Sequence, residues 1–237
     1  LITHHWIPNF GANLQCVAAA AALHGRGLGV VVLNYRPPGL VARYRSLVSA
    51  AQWQEHEAFL SSKIRQSPAL ATERDLRTFC TENCVAGVIT GSDAVWRLVN
   101  GSDREDLAFP NPYWLQWADT SEYRIPRFSL APSAMGHNLL NLPLDTKRSI
   151  VKALRRFSLL TVRDRWTMRV LQRMGKGLLW PRYCPDPAIS LPPAAPQAPV
   201  AGSADAGPYI LVSFHQTSVE SEWVRDFTSL AHAKGFR

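Results

Sequence analysis

No stretch of this sequence stays apolar for long. The best candidates are interrupted by His24, Arg26, Asn34 or Pro37, well short of the roughly 20 residues a membrane-spanning helix needs. A membrane anchor is therefore not expected. Cysteine is scarce as well: Cys16, Cys80, Cys84 and Cys184 are too thinly spread for a disulfide scaffold and lack a paired CxxC spacing. Cys80 and Cys84 would share a helix face, but two soft ligands without partners make no zinc site. The thiols read as packing residues, no metal is expected, and a reducing cytoplasm is the simplest compartment. Acids are the third shortage, with 18 Asp and Glu against 26 Lys and Arg. An initiator Met is missing too, and since the chain opens on Leu1, any targeting segment is expected upstream.

The net charge of +8 is concentrated. Between Asp145 and Arg182 stand eleven cations and two acids, a net of +9, so the rest of the chain sums to about −1. A localised field of this kind points to an anionic partner, whether phosphate, phospholipid surface or nucleic acid, unless it is a solvated basic face. Phe157 and Trp166 fall on apolar helical stripes rather than between the cations, which reads as core and argues against nucleic acid.

With 237 residues and 46% hydrophobic content, the chain can build one substantial core and part of a second. Its first half alternates short apolar runs with helical patterns, the rhythm of an α/β domain with a mainly parallel sheet. Strands are expected at residues 1–3, 29–35, 85–90, 125–130 and 159–162. Helical spacing covers Leu14 to Ala22, residues 41–66 and 73–81, the stripe Ile150, Val151, Leu154 and Phe157, and the segment after Asp164. In that last segment Trp166, Val170 and Met174 form one face and Arg165, Arg169 and Arg173 another. Residues 100–112 are turn-rich, with Trp114, Trp117 and Tyr123 nearby. Residues 192–208 are a Pro, Ala and Gly linker without periodicity. After it come a strand, 209–214, and a helix, about 219–233, read as the opening of an incomplete second domain.

In a doubly wound sheet, ligands bind beyond the carboxyl ends of the strands. Three places qualify. Asn9, Phe10, Gly11, Ala12 and Asn13 form a glycine-containing turn that opens a helix, suited to an anion such as phosphate, with helix capping by Asn9 or Asn13 the alternative. Gly91, Ser92 and Asp93 end a strongly apolar strand. There Asp93 is able to take a proton or bind a sugar hydroxyl, or merely to cap a helix. Arg163 follows the strand 159–162 and offers a planar fork to a carboxylate or phosphate, or a salt bridge to Asp164 or another local acid. Of the histidines, only the pair His4 and His5 lies in a loop near this crevice. His215 follows the strand 209–214.

These segments carry a resemblance. "NFGANLQCVAAAAAL" followed by "VVVLNYRPP", then "GVITGSDAVWRL", "FSLAPSAMG", "LLTVRDRWTMRVLQRMG" and "CPDPAISL" resemble, in order, the motifs of the polysaccharide pyruvyl transferase family from residue 1 to about 191. Phe10 stands where the family has Tyr, Ala94 where it has Gln, and Leu130 and Pro132 alter the strand before Ser133. The resemblance implies a Rossmann-like domain, residues 1–191, forming the N-terminal half of a fold similar to glycosyltransferase type B. It implies transfer of the enolpyruvyl unit of phosphoenolpyruvate to a sugar, or its lipid-linked precursor, as a ketal. It requires no cofactor, with phosphoenolpyruvate as donor substrate.

On that mapping Arg163 matches a donor-binding arginine and Asp93 a catalytic cleft position, while Asn9, Gly11, Ala12, Gly91 and Ser92 line the substrate. The expected setting is cytoplasmic, with peripheral contact at an anionic inner membrane face. Residues 1–237 alone are expected to lack turnover. A nucleotide-sugar glycosyltransferase and a nonenzymatic anion-binding module are the alternatives.

Overall fold

The computed structural model describes residues 1–119, 124–191 and 221–235. The chain forms two compact units, Leu1–Leu191 and Pro192–Arg237. Tyr123, the linker at 192–208, the strand at 209–214 and His215 lie outside the described residues. In the second unit the described element is a helix, Ser221–Ala233, on which Trp223 and Phe227 stack with ring centroids 5.1 Å apart.

The first unit is built on parallel strands: β1 (Val32–Tyr35), β2 (Gln66–Leu70), β3 (Val88–Thr90), β4 (Arg127–Ser129), β5 (Phe157–Leu159), β6 (Thr161–Val162) and β7 (Arg182–Tyr183). Segment 1–3 joins the β1 and β3 groups. The Leu33 amide donates to the Leu1 carbonyl on one side, and Ile2 donates to Ile89 while Gly91 donates to Ile2 on the other. Between β4 and β6 the ladder is completed by side chains. Ser129 Oγ donates to the Thr161 carbonyl at 2.8 Å, and Thr161 Oγ1 donates to the Ser129 carbonyl at 2.6 Å. Counting segment 1–3 as the first strand and β5 with β6 as one, the spatial order is 3-2-1-4-5-6-7, which contains the Rossmann order. The order reverses between segment 1–3 and β3.

Local sequence explains the connecting helices. Helix α1 (Phe10–His24) starts where Asn9 caps it and packs Cys16 and Ala19 against Leu1, Val32, Leu60 and Ile64. The 41–66 region divides into α2 (Pro38–Arg45) and α3 (Ala50–Lys63), the latter capped by Ser49. Helix α4 (Glu73–Glu82) carries a capping box from Thr72 and Asp75. It stops before Cys84, which is exposed at positive φ. Helix α5 (Leu144–Leu154) buries Ile150 and Leu154, but Phe157 belongs to β5 rather than to this helix.

Helix α6 (Arg165–Gly175) buries Val170 and Leu171 and exposes Arg165, Arg169 and Arg173. Trp166 is not on its buried face: it is 46% exposed, its indole N–H donating to the His137 carbonyl at 3.3 Å. The core expectation for Trp166 is thereby corrected. Among the largest buried side chains are instead Trp96, Trp114 and Trp117, on either side of the turn-rich region, all essentially inaccessible and the first two stacked at 5.2 Å. No helix among the described residues is long and apolar enough to cross a membrane.

Candidate functional site

Where the strand order reverses, the residues after segment 1–3 meet those after β3. Thr3 Oγ1 donates to the Ser92 carbonyl at 3.0 Å, and His4 Nδ1 lies 3.5 Å from Asp93 Oδ2. The turn is fixed from the other side, because the Ser133 amide donates to the Asp93 carbonyl at 2.9 Å. Gly91 has φ +106°, and a Cβ there would run into the Leu130 carbonyl oxygen, so the backbones after β3 and β4 touch only because this residue is glycine. Ser92 is wholly buried and meets its neighbours through its carbonyl, whereas the Asp93 side chain keeps 22% of its surface open.

Burial by itself would raise the Asp93 pKa. The contact with His4, the charge on His4, the Ala94 N–H and the field of Arg163 together outweigh burial and hold it below the ordinary value. The group is therefore a carboxylate near neutral pH. It suits accepting a hydrogen bond or a proton from a hydroxyl, and it does not suit donating one to carbon. His4 is itself held edge-on to Tyr113, ring centroids 4.7 Å apart.

The turn before α1 resolves in favour of capping at one of its groups. Asn9 Oδ1 accepts from the Ala12 amide at 3.1 Å, so these two residues satisfy each other. The amides of Phe10 and Gly11 have no intrahelical acceptor, as at any helix start. Phe10 and Gly11 are exposed, and the first turn holds no acid to oppose an anion.

Arg163 follows β6, its amide donating to the Pro132 carbonyl at 3.1 Å. Its Nη1 donates to Asp186 Oδ2 at 3.0 Å, with both side chains about a quarter exposed. Gln15 Nε2 on α1 donates to the same oxygen, while Asp186 Oδ1 caps the turn Pro187–Ser190 through the Ala188 amide at 2.9 Å. The salt-bridge alternative for Arg163 is thus realised, though not with Asp164. That residue instead caps α6 through the Thr167 amide at 2.7 Å. The arrangement ties α1, the end of β6 and the end of β7 into one clamp, with Arg163 still felt electrostatically at Asp93.

Sequence reasoning missed a buried polar layer beside these groups. Asn13 Nδ2 donates to His56 Nδ1 at 2.8 Å, and His5 Nδ1 donates to the Thr3 carbonyl at 3.0 Å. Arg36, at the end of β1, donates to Asn34 Oδ1 at 2.7 Å and to Glu57 Oε1 at 2.8 Å. The Asn-Tyr-Arg end of β1 signalled Arg36; nothing local signalled His56, which reaches the layer from mid-helix. Asp186 was visible as the Asp-Pro turn but not as the partner of Arg163. No cluster of three metal-ligating side chains exists among the described residues.

A family model described as polysaccharide pyruvyl transferase matches residues 9–237. No curated protein and no solved structure matches the chain significantly. The match spans nearly the whole sequence, from the α1 turn through the Gly91-Ser92-Asp93 crossing and the Arg163 clamp, and on that footing the chain belongs to the polysaccharide pyruvyl transferase family.

Proposed function

We propose that this protein takes part in moving the enolpyruvyl unit of phosphoenolpyruvate onto a sugar as a ketal. The observation that carries the reading is the juxtaposition, at the strand-order reversal of a chain in this family, of the Asp93 carboxylate with His4 and with the field of Arg163. In the reaction, C3 of the donor gains a proton and C2 is attacked by one acceptor hydroxyl. A second hydroxyl then replaces the phosphate, whose C2–O bond breaks, so that one hydroxyl proton ends on C3 and the other on phosphate. Asp93 receives a proton from an attacking hydroxyl or orients that hydroxyl. Arg163 presents its fork to the donor's carboxylate or phosphate, with Phe10 and Gly11 at the α1 start offering their amides to the other anion.

The unit Leu1–Leu191 acts in this reading as the donor-binding part of a glycosyltransferase type B-like fold. The acceptor is a polysaccharide repeat or its lipid-linked precursor, and the setting is cytoplasmic. The test is direct binding by calorimetry, phosphoenolpyruvate against UDP-glucose and GDP-mannose. The expected result is saturable binding of phosphoenolpyruvate alone, retained in Asp93→Asn and weakened in Arg163→Ala. Selective binding of a nucleotide sugar would overturn the reading.

A further inference from the structure

The turn between α6 and β7 carries a surface that the proposed chemistry does not use. Within residues 178–182 the exposed and buried positions alternate. Leu179 and Pro181 point inward, while Leu178 (54%) and Trp180 (79%) stand in solvent. The turn is firmly set: the Leu178 amide donates to the Gly175 carbonyl at 2.8 Å, and Leu179 packs so closely on Gly175 that any Cβ there would collide with it. The exposure is thus built into the backbone path. A tryptophan held outward by a fixed turn at the edge of a sheet is an apolar feature that calls for a partner.

Charge identifies the partner. From Arg165 to Tyr183 the sequence has five cations and no acid. Arg173, Lys176 and Arg182 flank the apolar group, all exposed and in no ion pair among the described residues. We infer that this turn is a docking surface for an anionic lipid bilayer, with Leu178 and Trp180 entering the headgroup boundary and Arg173, Lys176 and Arg182 on the lipid phosphates. An amphipathic indole suits the water–hydrocarbon boundary, an aliphatic tip suits the acyl region, and cations add long-range attraction.

A second copy of the chain fits less well, because two-fold pairing of this edge would set Lys176 and Arg182 near their own copies. A single-stranded nucleic acid would stack on the one indole but has no use for Leu178. The turn precedes β7, whereas Asp93 and Arg163 follow their strands, so the surface lies at the opposite strand ends from the candidate site. Docking there does not require the site to be occupied, and the inference stands independently of the proposed reaction.

The experiment is vesicle flotation of the 237-residue chain with phosphatidylcholine alone and with phosphatidylcholine mixed with phosphatidylglycerol. The expected result is retention by the anionic vesicles, weakened by salt. Trp180→Ser should lower partitioning by at least about tenfold through lost apolar burial. Lys176→Ala and Arg182→Ala should lower it about fivefold each, the equivalent of about 1 kcal/mol per cation. Because these side chains are exposed, circular dichroism melts should match the parent. Three outcomes overturn the inference: no retention of the parent by anionic vesicles, equal retention of the parent and Trp180→Ser, or release of the parent from the vesicles by a single-stranded oligonucleotide at equimolar phosphate.

Discussion

Arg163 and Asp186, residues from the ends of adjacent strands, are joined by a 3.0 Å hydrogen bond whose acceptor oxygen is shared with Gln15 of α1. Asp186 thus occupies one donor of the fork that the proposed function assigns to the substrate. Arg163→Ala should weaken phosphoenolpyruvate binding by tenfold or more, since a charge-assisted contact contributes about 1.5 to 3 kcal/mol. Its effect on thermal stability should be small, within about 1 kcal/mol, because the pair is partly solvated. Asp186→Asn, which keeps the turn cap, should leave donor affinity unchanged or raise it. Calorimetry alongside thermal melts separates the outcomes. A large loss of stability in Arg163→Ala with donor affinity intact would make the arginine a structural clamp and nothing more.

Gly11 permits a test in which stability and binding move in opposite directions. A Cβ there meets only Asn9 Oδ1, at an ordinary 3.5 Å, and alanine is the better helix former. Gly11→Ala should therefore hold or raise stability, by up to about 1 kcal/mol. If an anion approaches the first-turn amides, the same methyl group stands in its way and donor affinity should fall. Undiminished affinity in a stabilised variant would remove the α1 start from the binding site.

Gly91→Ala should damage the fold itself. The residue would have to hold φ +106° and displace the Leu130 carbonyl, a strain of at least about 2 kcal/mol. Chemical denaturation should show that loss with the slope unchanged. A variant as stable as the parent would mean that the contact between the turns after β3 and β4 is loose.

Acid should destabilise the first unit through His5. Burial pushes its pKa down from 6.5 to about 4, against the opposing pull of the Thr3 carbonyl. Between those values the unfolded chain binds a proton that the folded chain refuses. Stability should therefore fall as pH drops through that window, by on the order of 3 kcal/mol. His56, whose pKa burial also lowers, acts in the same direction. Melts from pH 7 to pH 4 should show the decline, and His5→Gln should flatten it. An unchanged slope in that variant would assign the acid sensitivity to other groups.

The parts of the fold legible in the sequence were those written in local pattern. The β-branched run before Tyr35 and the apolar run before Gly91 are strands in the structure, somewhat shorter than expected. The arginine stripe of α6 is exposed as its spacing required. β2 was missed because Gln66–Leu70 opens on polar residues and contains Pro68, which a strand tolerates at an edge, and among the described residues β2 pairs only with β1. Trp166 misled because helical spacing specifies a face but not what covers it.

Of the candidate site, the strand-end residues were foreseeable from position alone. The Arg163–Asp186 bond, the His4–Asp93 contact and the His56 layer were not, since each joins residues far apart in sequence. Asn9 shows the limit in reverse: the same side chain serves a cap or a ligand, and only the Ala12 amide decides between them.

The stacked pair Trp96 and Trp114 gives the molecule an optical signature of its own. Two indoles 5.2 Å apart and 15° from parallel couple their electronic transitions, so the pair should contribute an exciton feature to circular dichroism that neither ring gives alone. Trp96 is bonded through its amide to the Ser133 carbonyl, and Ser133 to Asp93. A ligand that shifts the Asp93 turn therefore pulls on one member of the pair, and occupancy of the site becomes readable as a change in that feature without any added label.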